Sequence, residues 1–337
     1  MRTAVIGLGS MGLRHLQNVK TLGLPLAGVC DSRPEALAKA GDLGASPELR
    51  FADPAAMLKA VKPECVIVAT TAPGHGPLTS LAAAGGAKAV LCEKPLATSL
   101  AECDAMISAC RASGTRLAVN HQMRYMEQYT KVKELIDADE IGALASVTVV
   151  AGNFGLAMNG SHYFEMFRWL TGEKPATVSA WLSKDRVPNP RGPQFDDGAG
   201  EIRVENPSGR RLYMEMGSDQ GHGVRVIYAG RHGVLVADEL GGRIEVLGRL
   251  AEHRALPTTR YGMPSATREV RVAPADALAP SRSVLEALIS GREIPTGEDG
   301  RSAVAVVAAA YRSHENGHAA VAVSDEAASL ERRFTFA

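Results

Sequence analysis

Over the first 120 residues, short unbroken apolar runs alternate with stretches whose apolar positions recur every three or four residues. Runs of the first kind predict strands buried on both faces of a parallel sheet, and the second kind predict amphipathic helices. The runs fall at 2–6, 24–30, 65–69, 88–92 and 116–119, and the helical stretches at 13–19, 34–43, 54–58, 77–84 and 99–113. Five or six parallel strands with helices between them make a doubly wound α/β domain, expected over 1–120. After residue 120 the pattern changes. Residues 126–136 are helical, 144–154 alternate as one long strand, and 161–170 read as a helix closed by Thr171-Gly172. Strand-like runs at 201–205, 211–216, 224–229, 234–238 and 243–247, separated by glycine-bearing turns, predict one large mixed or antiparallel sheet. Helices are expected near 281–290 and 300–316, and the tail 324–337 is expected to pack on its own domain or on a partner.

Composition narrows the class. A chain of 337 residues with 45% hydrophobic content has material for two buried cores. Lys plus Arg (37) balances Asp plus Glu (37), so a small ligand is expected rather than nucleic acid or a membrane surface. The N-terminus lacks the features of a secretory leader, and no apolar stretch reaches spanning length. Cys30, Cys65, Cys92, Cys103 and Cys110 show neither paired C-x-x-C spacing nor a metal-ligand pattern, which predicts buried thiols in a reducing cytoplasm and no metal site.

The chemistry starts in the first strand-to-helix turn. Gly7-Leu8-Gly9-Ser10-Met11-Gly12 follows an apolar run and opens a helix. In that setting Gly7 permits the sharp turn, Gly9 lets backbone approach a pyrophosphate, and Gly12 lets helix and strand pack closely, with the helix amides aimed at phosphate. The next apolar run ends on Asp31, nineteen residues after Gly12, where a carboxylate can accept hydrogen bonds from ribose hydroxyls. This predicts NAD, while Arg33 two residues on keeps NADP admissible. Thr70 and Thr71 follow the 65–69 strand at its carboxyl end, the edge at which open α/β sheets bind ligands, and His75 follows them. Lys94 leaves the 88–92 strand between Glu93 and Pro95. At such a position a partly desolvated ammonium can stabilise a developing alkoxide; the alternative is an exposed loop lysine. In 161–170, His162, Met166 and Trp169 share a face, which by itself reads as a buried stripe. The place of His162 in the first helical turn, after Asn159-Gly160, favours a neutral ring that can act as a base. The loop Pro188-Asn189-Pro190-Arg191-Gly192-Pro193, followed by Asp196-Asp197-Gly198, is open between a lid and a plain connection, and Gln220-Gly221-His222 reads as a surface turn, the alternative being a turn that reaches substrate or a neighbouring subunit.

Taken together, 4–12, Val66-Ile67-Val68-Ala69-Thr70, His75, Leu91-Cys92-Glu93-Lys94-Pro95-Leu96-Ala97 and Gly160-Ser161-His162 resemble the glucose-fructose oxidoreductase, inositol dehydrogenase and rhizopine-catabolism (Gfo/Idh/MocA) family over nearly the whole chain. The resemblance implies an N-terminal Rossmann domain and a nicotinamide cofactor. It implies a C-terminal α+β domain, 121–337, with a large open, mostly antiparallel sheet that shapes the substrate site and mediates assembly into a homodimer or homotetramer. It further implies that Lys94 is catalytic and that the Lys94–Pro95 bond is cis. Asn120 and Arg124, in Asn120-His121-Gln122-Met123-Arg124-Tyr125, fall at the family's domain junction, Asn120 toward cofactor and Arg124 toward substrate. The family's helix usually opens Asp-x-Gly-x-His, whereas this chain has Met158-Asn159-Gly160-Ser161-His162. A thioether cannot hold an imidazole as a carboxylate does. His162 is therefore expected neutral at pH 7, Lys94 is expected to carry more of the proton transfer, and the substrate is expected to present an apolar or N-acyl group to Met158. The activity so implied is hydride transfer between a nicotinamide and a secondary alcohol or ketone of a sugar, amino sugar or polyol. The alternatives are redox-neutral glycoside chemistry through transient oxidation, and a cofactor-binding sensor or assembly protein without catalysis.

Overall fold

Strands of four or five residues form the centre of the first unit, and their burial explains the lack of polar alternation in the sequence. The elements run β1 (Thr3–Ile6), α1 (Ser10–Thr21), β2 (Leu26–Cys30), α2 (Pro34–Asp42), β3 (Arg50–Phe51), α3 (Pro54–Val61), β4 (Cys65–Val68), α4 (Ala72–Ala84), β5 (Ala89–Cys92), α5 (Leu100–Ser113) and β6 (Arg116–Val119). In this computed structural model, residues 1–152, 155–184, 188–219, 223–257, 263–323 and 327–337 are described. The sheet order is β3-β2-β1-β4-β5-β6, with every pairing parallel. Val66, Ile67, Val90 and Leu91 are fully buried in its middle. Each contributes about 1.5–3 kcal/mol through removal of its side chain from water.

Local signals set the helix ends. Asp53 caps α3 by accepting from the Ala56 amide at 2.7 Å, and Ser99 caps α5 by accepting from the Glu102 amide at 3.2 Å. Glu102 reaches back to accept from the Thr98 amide and hydroxyl, at 3.2 and 2.7 Å, completing a reciprocal cap. The largest helix-start difference from expectation is at α4, which begins at Ala72 rather than Pro77. Pro73 occupies the first turn, where a missing N–H costs nothing, and Pro77 is taken inside the helix although it cannot donate to the carbonyl one turn back.

Two compact units divide the chain, one of Met1–Gln122, Ala277–Val304 and Glu326–Ala337, the other of Met123–Asp276 and Ala305–Asp325. The first therefore receives α8 (Leu278–Ser290), the start of α9 (Gly297–Glu315) and the end of the chain. Phe334 and Phe336 stack there with ring centroids 5.1 Å apart, and the Phe334 amide donates to the Thr98 carbonyl at 2.9 Å, so the tail packs on the first unit rather than on the domain 121–337 or a partner.

The second unit holds α6 (Glu127–Asp137), β7 (Leu144–Gly152), a π-helical turn Leu156–Gly160, α7 (Ser161–Thr171), β8 (Thr177–Leu182), β9 (Gly200–Glu205), β10 (Arg211–Gly217), β11 (Val224–Gly230), β12 (Gly233–Asp238), β13 (Arg243–Arg249), β14 (Ser265–Arg271) and β15 (Val321–Ala322). These make a nine-stranded sheet, β14-β13-β12-β11-β7-β10-β9-β8-β15, in which β7 and β10 pair parallel and every other pairing is antiparallel. The expected mixed, mostly antiparallel sheet is present. It also includes β8 and β14, which carry no clear signal in the sequence. Val147, Val149, Leu212, Met214, Val226 and Tyr228 are buried on one face, against which α7 lies with Met166 Sδ 3.3 Å from the Tyr228 hydroxyl. Of the segments read from the sequence, the strand end at Phe154, the Gln220-Gly221-His222 turn and Ser324 lie outside the described residues.

Candidate active site

Four loops leave the carboxyl ends of β1, β4, β5 and β6, which are neighbours in the first sheet, so residues far apart in sequence gather on one edge. Gly7 follows β1 with φ +88°, and a Cβ there would sit 2.7 Å from the Ala69 carbonyl. At Gly12 a Cβ would meet the Gly7 oxygen at 1.8 Å. Both positions need glycine for the fold itself. Gly9 differs, because nothing lies within 4 Å of its missing Cβ, leaving open space at the head of α1. That helix starts at Ser10 with neither a side-chain cap nor an acidic residue in its first turn. The amides of Ser10, Met11 and Gly12 and the positive helix end thus remain available to an anion.

Asp31 directly follows β2 and bonds to this loop. Its carboxylate accepts from the Leu8 amide at 2.7 Å and from the Arg33 amide and guanidinium at 3.0–3.1 Å. Burial by itself would raise this carboxyl, but the hydrogen bonds from Arg33 and Leu8 outweigh it and hold it below its ordinary value. A cavity of about 200 Å³ lined by Leu8, Gly9, Ser10, Leu13, Arg33 and Ala36 lies here. An open cradle at Gly9, uncapped amides and a charged Asp31 fit a dinucleotide.

Farther along the edge, Thr70 donates to the Thr71 carbonyl at 3.2 Å. His75 lies buried with Nδ1 2.8 Å from the Pro95 oxygen and Nε2 3.1 Å from the Thr70 oxygen, tying the β4 and β5 loops together. The Lys94–Pro95 bond is cis and Lys94 is half-buried. Glu93 is buried, with Oε1 2.7 Å from His15 Nε2 on α1 and accepting from Asn120 Nδ2 at 2.8 Å; Asn120 also donates to Ser281 Oγ at 3.2 Å. Desolvation would raise the Glu93 carboxyl, yet His15, Lys94 and Asn120 together pull it down to about 2, so it carries charge at neutral pH. Glu93 and Asn120 therefore meet at one point beside Lys94. His15, whose role has no mark in the sequence, is the third member.

In the second unit His162 occupies the first turn of α7 and is 4% exposed, while Met158 and Asn159 are half-buried in the turn before it. Arg124 donates to Glu165, three residues beyond His162 on the same helix, and its guanidinium lies 5.8 Å from the centre of the Trp169 ring. Asp197 reads in the sequence only as part of a loop, yet its carboxylate accepts from the Ala157 amide at 2.9 Å and the Met158 amide at 2.7 Å. The visible signal is a doubled acid before a glycine, which says nothing of a partner forty residues away.

Residues 1–121 match the family model described as an oxidoreductase family with NAD-binding Rossmann fold, and 133–323 match the C-terminal alpha/beta domain model of the same oxidoreductase family. The chain belongs to the Gfo/Idh/MocA oxidoreductase family. Among its relatives is a D-apiose dehydrogenase of Paraburkholderia graminis, 32% identical over 194 residues that span 52% of this chain and 51% of that one. An inositol 2-dehydrogenase of Saccharopolyspora erythraea is 29% identical over 280 residues, 79% of this chain and 76% of the other. An oxidoreductase from Agrobacterium radiobacter, solved with NAD+, L-tartaric acid and magnesium, shares the fold with a TM-score of 0.80 at 22% identity, covering 96% of this chain and 98% of that one. As a Gfo/Idh/MocA member, the chain is a nicotinamide-dependent oxidoreductase in which residues 1–121 are the NAD-binding Rossmann module.

Proposed function

We propose that this enzyme oxidises a secondary alcohol of a sugar, amino sugar or polyol, and reduces the corresponding ketone in reverse. The observation that carries this is the place of Lys94, on the sheet edge that holds the glycine loop, with the charged Glu93 network next to it. The relatives named as apiose and inositol dehydrogenases support the substrate class. Dehydrogenation is a net redox change, so the same relatives speak against the redox-neutral and non-catalytic alternatives.

Gly7, Gly9, Ser10, Met11 and Gly12 would hold the pyrophosphate. Asp31 and Arg33 would hold the adenosine ribose, and Thr70, Thr71, Glu93 and Asn120 would shape the nicotinamide end, with His75 bracing two of these loops. Bound there, NAD supplies the hydride acceptor. Lys94 places an ammonium where negative charge develops on the carbinol oxygen, which lowers the barrier most when water is excluded. The neutral imidazole of His162 takes the hydroxyl proton; Lys94, as an ammonium, has no lone pair for it, so the larger share of proton transfer expected for Lys94 is not part of this mechanism. Asn159 and Met158 face substrate, Met158 toward an apolar or N-acyl group. Arg124 contributes by fixing the rotation of α7 through Glu165. The open face of the second sheet carries Val150, Trp181, Tyr213, Ile227 and Leu247, all on the same side by register and each at least 36% exposed. This face joins copies of the chain into a homodimer or homotetramer. Five buried free thiols suit a cytoplasmic enzyme.

A panel of D-apiose, inositol isomers, aldoses and N-acetylated amino sugars, each mixed with NAD+ and followed by NADH absorbance, tests the assignment. At least one sugar or polyol should reduce the cofactor. Failure of all of them in both directions, with NADH bound, removes the proposal.

A further inference from the structure

The segment that presents Met158, Asn159 and His162 does not support itself. Leu156–Gly160 winds one wide turn in which the Gly160 amide reaches the Gly155 carbonyl at 3.0 Å, a geometry that is rare and concentrated at functional sites. The first amides of such a turn have no partner within it. Here all three are taken by one loop: Leu156 donates to the Gly198 carbonyl at 2.8 Å, and Ala157 and Met158 donate to the two oxygens of Asp197 at 2.9 and 2.7 Å. The loop is itself tied down, since the Gly198 amide donates to the Tyr311 hydroxyl at 2.9 Å. Asp197 is 7% exposed, and a Cβ on Gly155 would fall 2.1 Å from its Oδ2, so residue 155 must be glycine for the carboxylate to come this near. A buried side chain whose two oxygens accept from two successive amides ties the start of the turn directly to the loop.

We propose that Asp197 is a positioning residue of the reaction, holding the backbone that carries Met158, Asn159 and His162 in its working register. This rests on His162 and its neighbours facing substrate. Without the carboxylate, the wide turn loses two of its three loop anchors and the residues on it lose their fixed place. A displacement of about 1 Å costs roughly a hundredfold in rate. Asparagine keeps one acceptor oxygen and turns its NH2 toward the other amide, so it should recover part of the loss.

The experiment compares wild type, Asp197→Ala, Asp197→Asn and His162→Asn, using the compound from the panel that turns over fastest, together with NADH titration and amide hydrogen exchange. Asp197→Ala should lower kcat roughly a hundredfold with NADH affinity within about twofold, and Asp197→Asn should lie between it and wild type. Exchange at the amides of 157 and 158 should accelerate while β7 and β10 stay protected. If Asp197→Ala does not fold, partial loss in Asp197→Asn with the same local exchange pattern supports the role, and unchanged kcat in Asp197→Asn overturns it. Wild-type kcat in folded Asp197→Ala with His162→Asn inactive overturns the positioning role alone. Accelerated exchange throughout the sheet makes Asp197 a general stability residue and also overturns it. Full activity in His162→Asn overturns the site reading and the inference with it.

Discussion

Raising the pH from about 4.5 to about 8 should weaken the second unit through one buried carboxyl, Glu239. It lies at the end of β12, 7% exposed, accepting from the hydroxyls of Tyr129 on α6 and Tyr163 on α7, the latter at 3.0 Å, with Tyr228 of β11 also close by. Among the described residues no cation pairs with it. Burial pushes the carboxyl from an ordinary 4.5 up to about 7, and the two tyrosine hydrogen bonds oppose that shift without cancelling it. The folded state therefore holds the proton more tightly than the unfolded chain. The stability gained from protonation is complete below about 4.5 and is lost as pH rises through about 7. The separation, at about 1.4 kcal/mol per pH unit, comes to about 3 kcal/mol, a large part of the roughly 5–15 kcal/mol that a domain commands.

Glu239→Gln replaces the titrating group with a neutral one of the same shape. Urea unfolding of both proteins across this range cancels every other titration common to the two. The stability difference should move in favour of Gln by about 3 kcal/mol between the ends of the range. Tyr163→Phe removes a donor to the carboxylate and should move the window to higher pH. Parallel curves for wild type and Glu239→Gln would refute the argument, because Glu239 would then titrate alike folded and unfolded.

The glycine loop yields a contrast within three residues. Gly9→Ala should fold with wild-type stability yet bind NADH at least about tenfold more weakly, since open space surrounds its Cβ, whereas Gly12→Ala should be destabilised by about 1–3 kcal/mol or more through collision with the Gly7 carbonyl, in the range of overpacking changes; thermal melts with NADH titration check both. Asp31→Ala should narrow the preference for NADH over NADPH, because a carboxylate repels a 2′-phosphate and its loss leaves Arg33 to attract one; fluorescence titration with both cofactors decides, and tighter NADPH binding by wild type would contradict the reading. Ile227→Lys and Tyr213→Lys together should shift the proposed homodimer or homotetramer toward monomer in light scattering, as like charges on the open sheet face repel across a pairing.

What is legible in the sequence is local. Gly7, Gly9 and Gly12 lie within one turn, Asp31 is marked by its place at the end of the next apolar run, and the strands around Val66 and Val90 are buried on both faces, so these features show in the string itself. Ser265–Arg271 does not read as a strand because it is an edge strand whose residues are almost all exposed, leaving no apolar alternation to find. Thr177–Leu182 alternates but contains Thr177, Ser179 and an exposed Trp181, which blur the signal. The buried polar groups are least visible. His15 meets Glu93 across 78 positions, Asp197 meets Met158 across 39, and Tyr129 meets Glu239 across 110, pairings created by topology alone. Met158 leaves the His162 segment without an acid of its own. The fold supplies one from Asp197, bonded to backbone amides rather than at position 158.

The most direct test of the account is the turnover of Lys94→Ala with the fastest compound of the sugar and polyol panel, measured beside its NADH affinity. In the proposed chemistry Lys94 interacts most strongly with charge that develops in the transition state, so kcat should fall by at least about a hundredfold while the NADH Kd stays within about twofold. Turnover within a few fold of wild type would make Lys94 a surface lysine of a β5 loop and contradict the proposed chemistry.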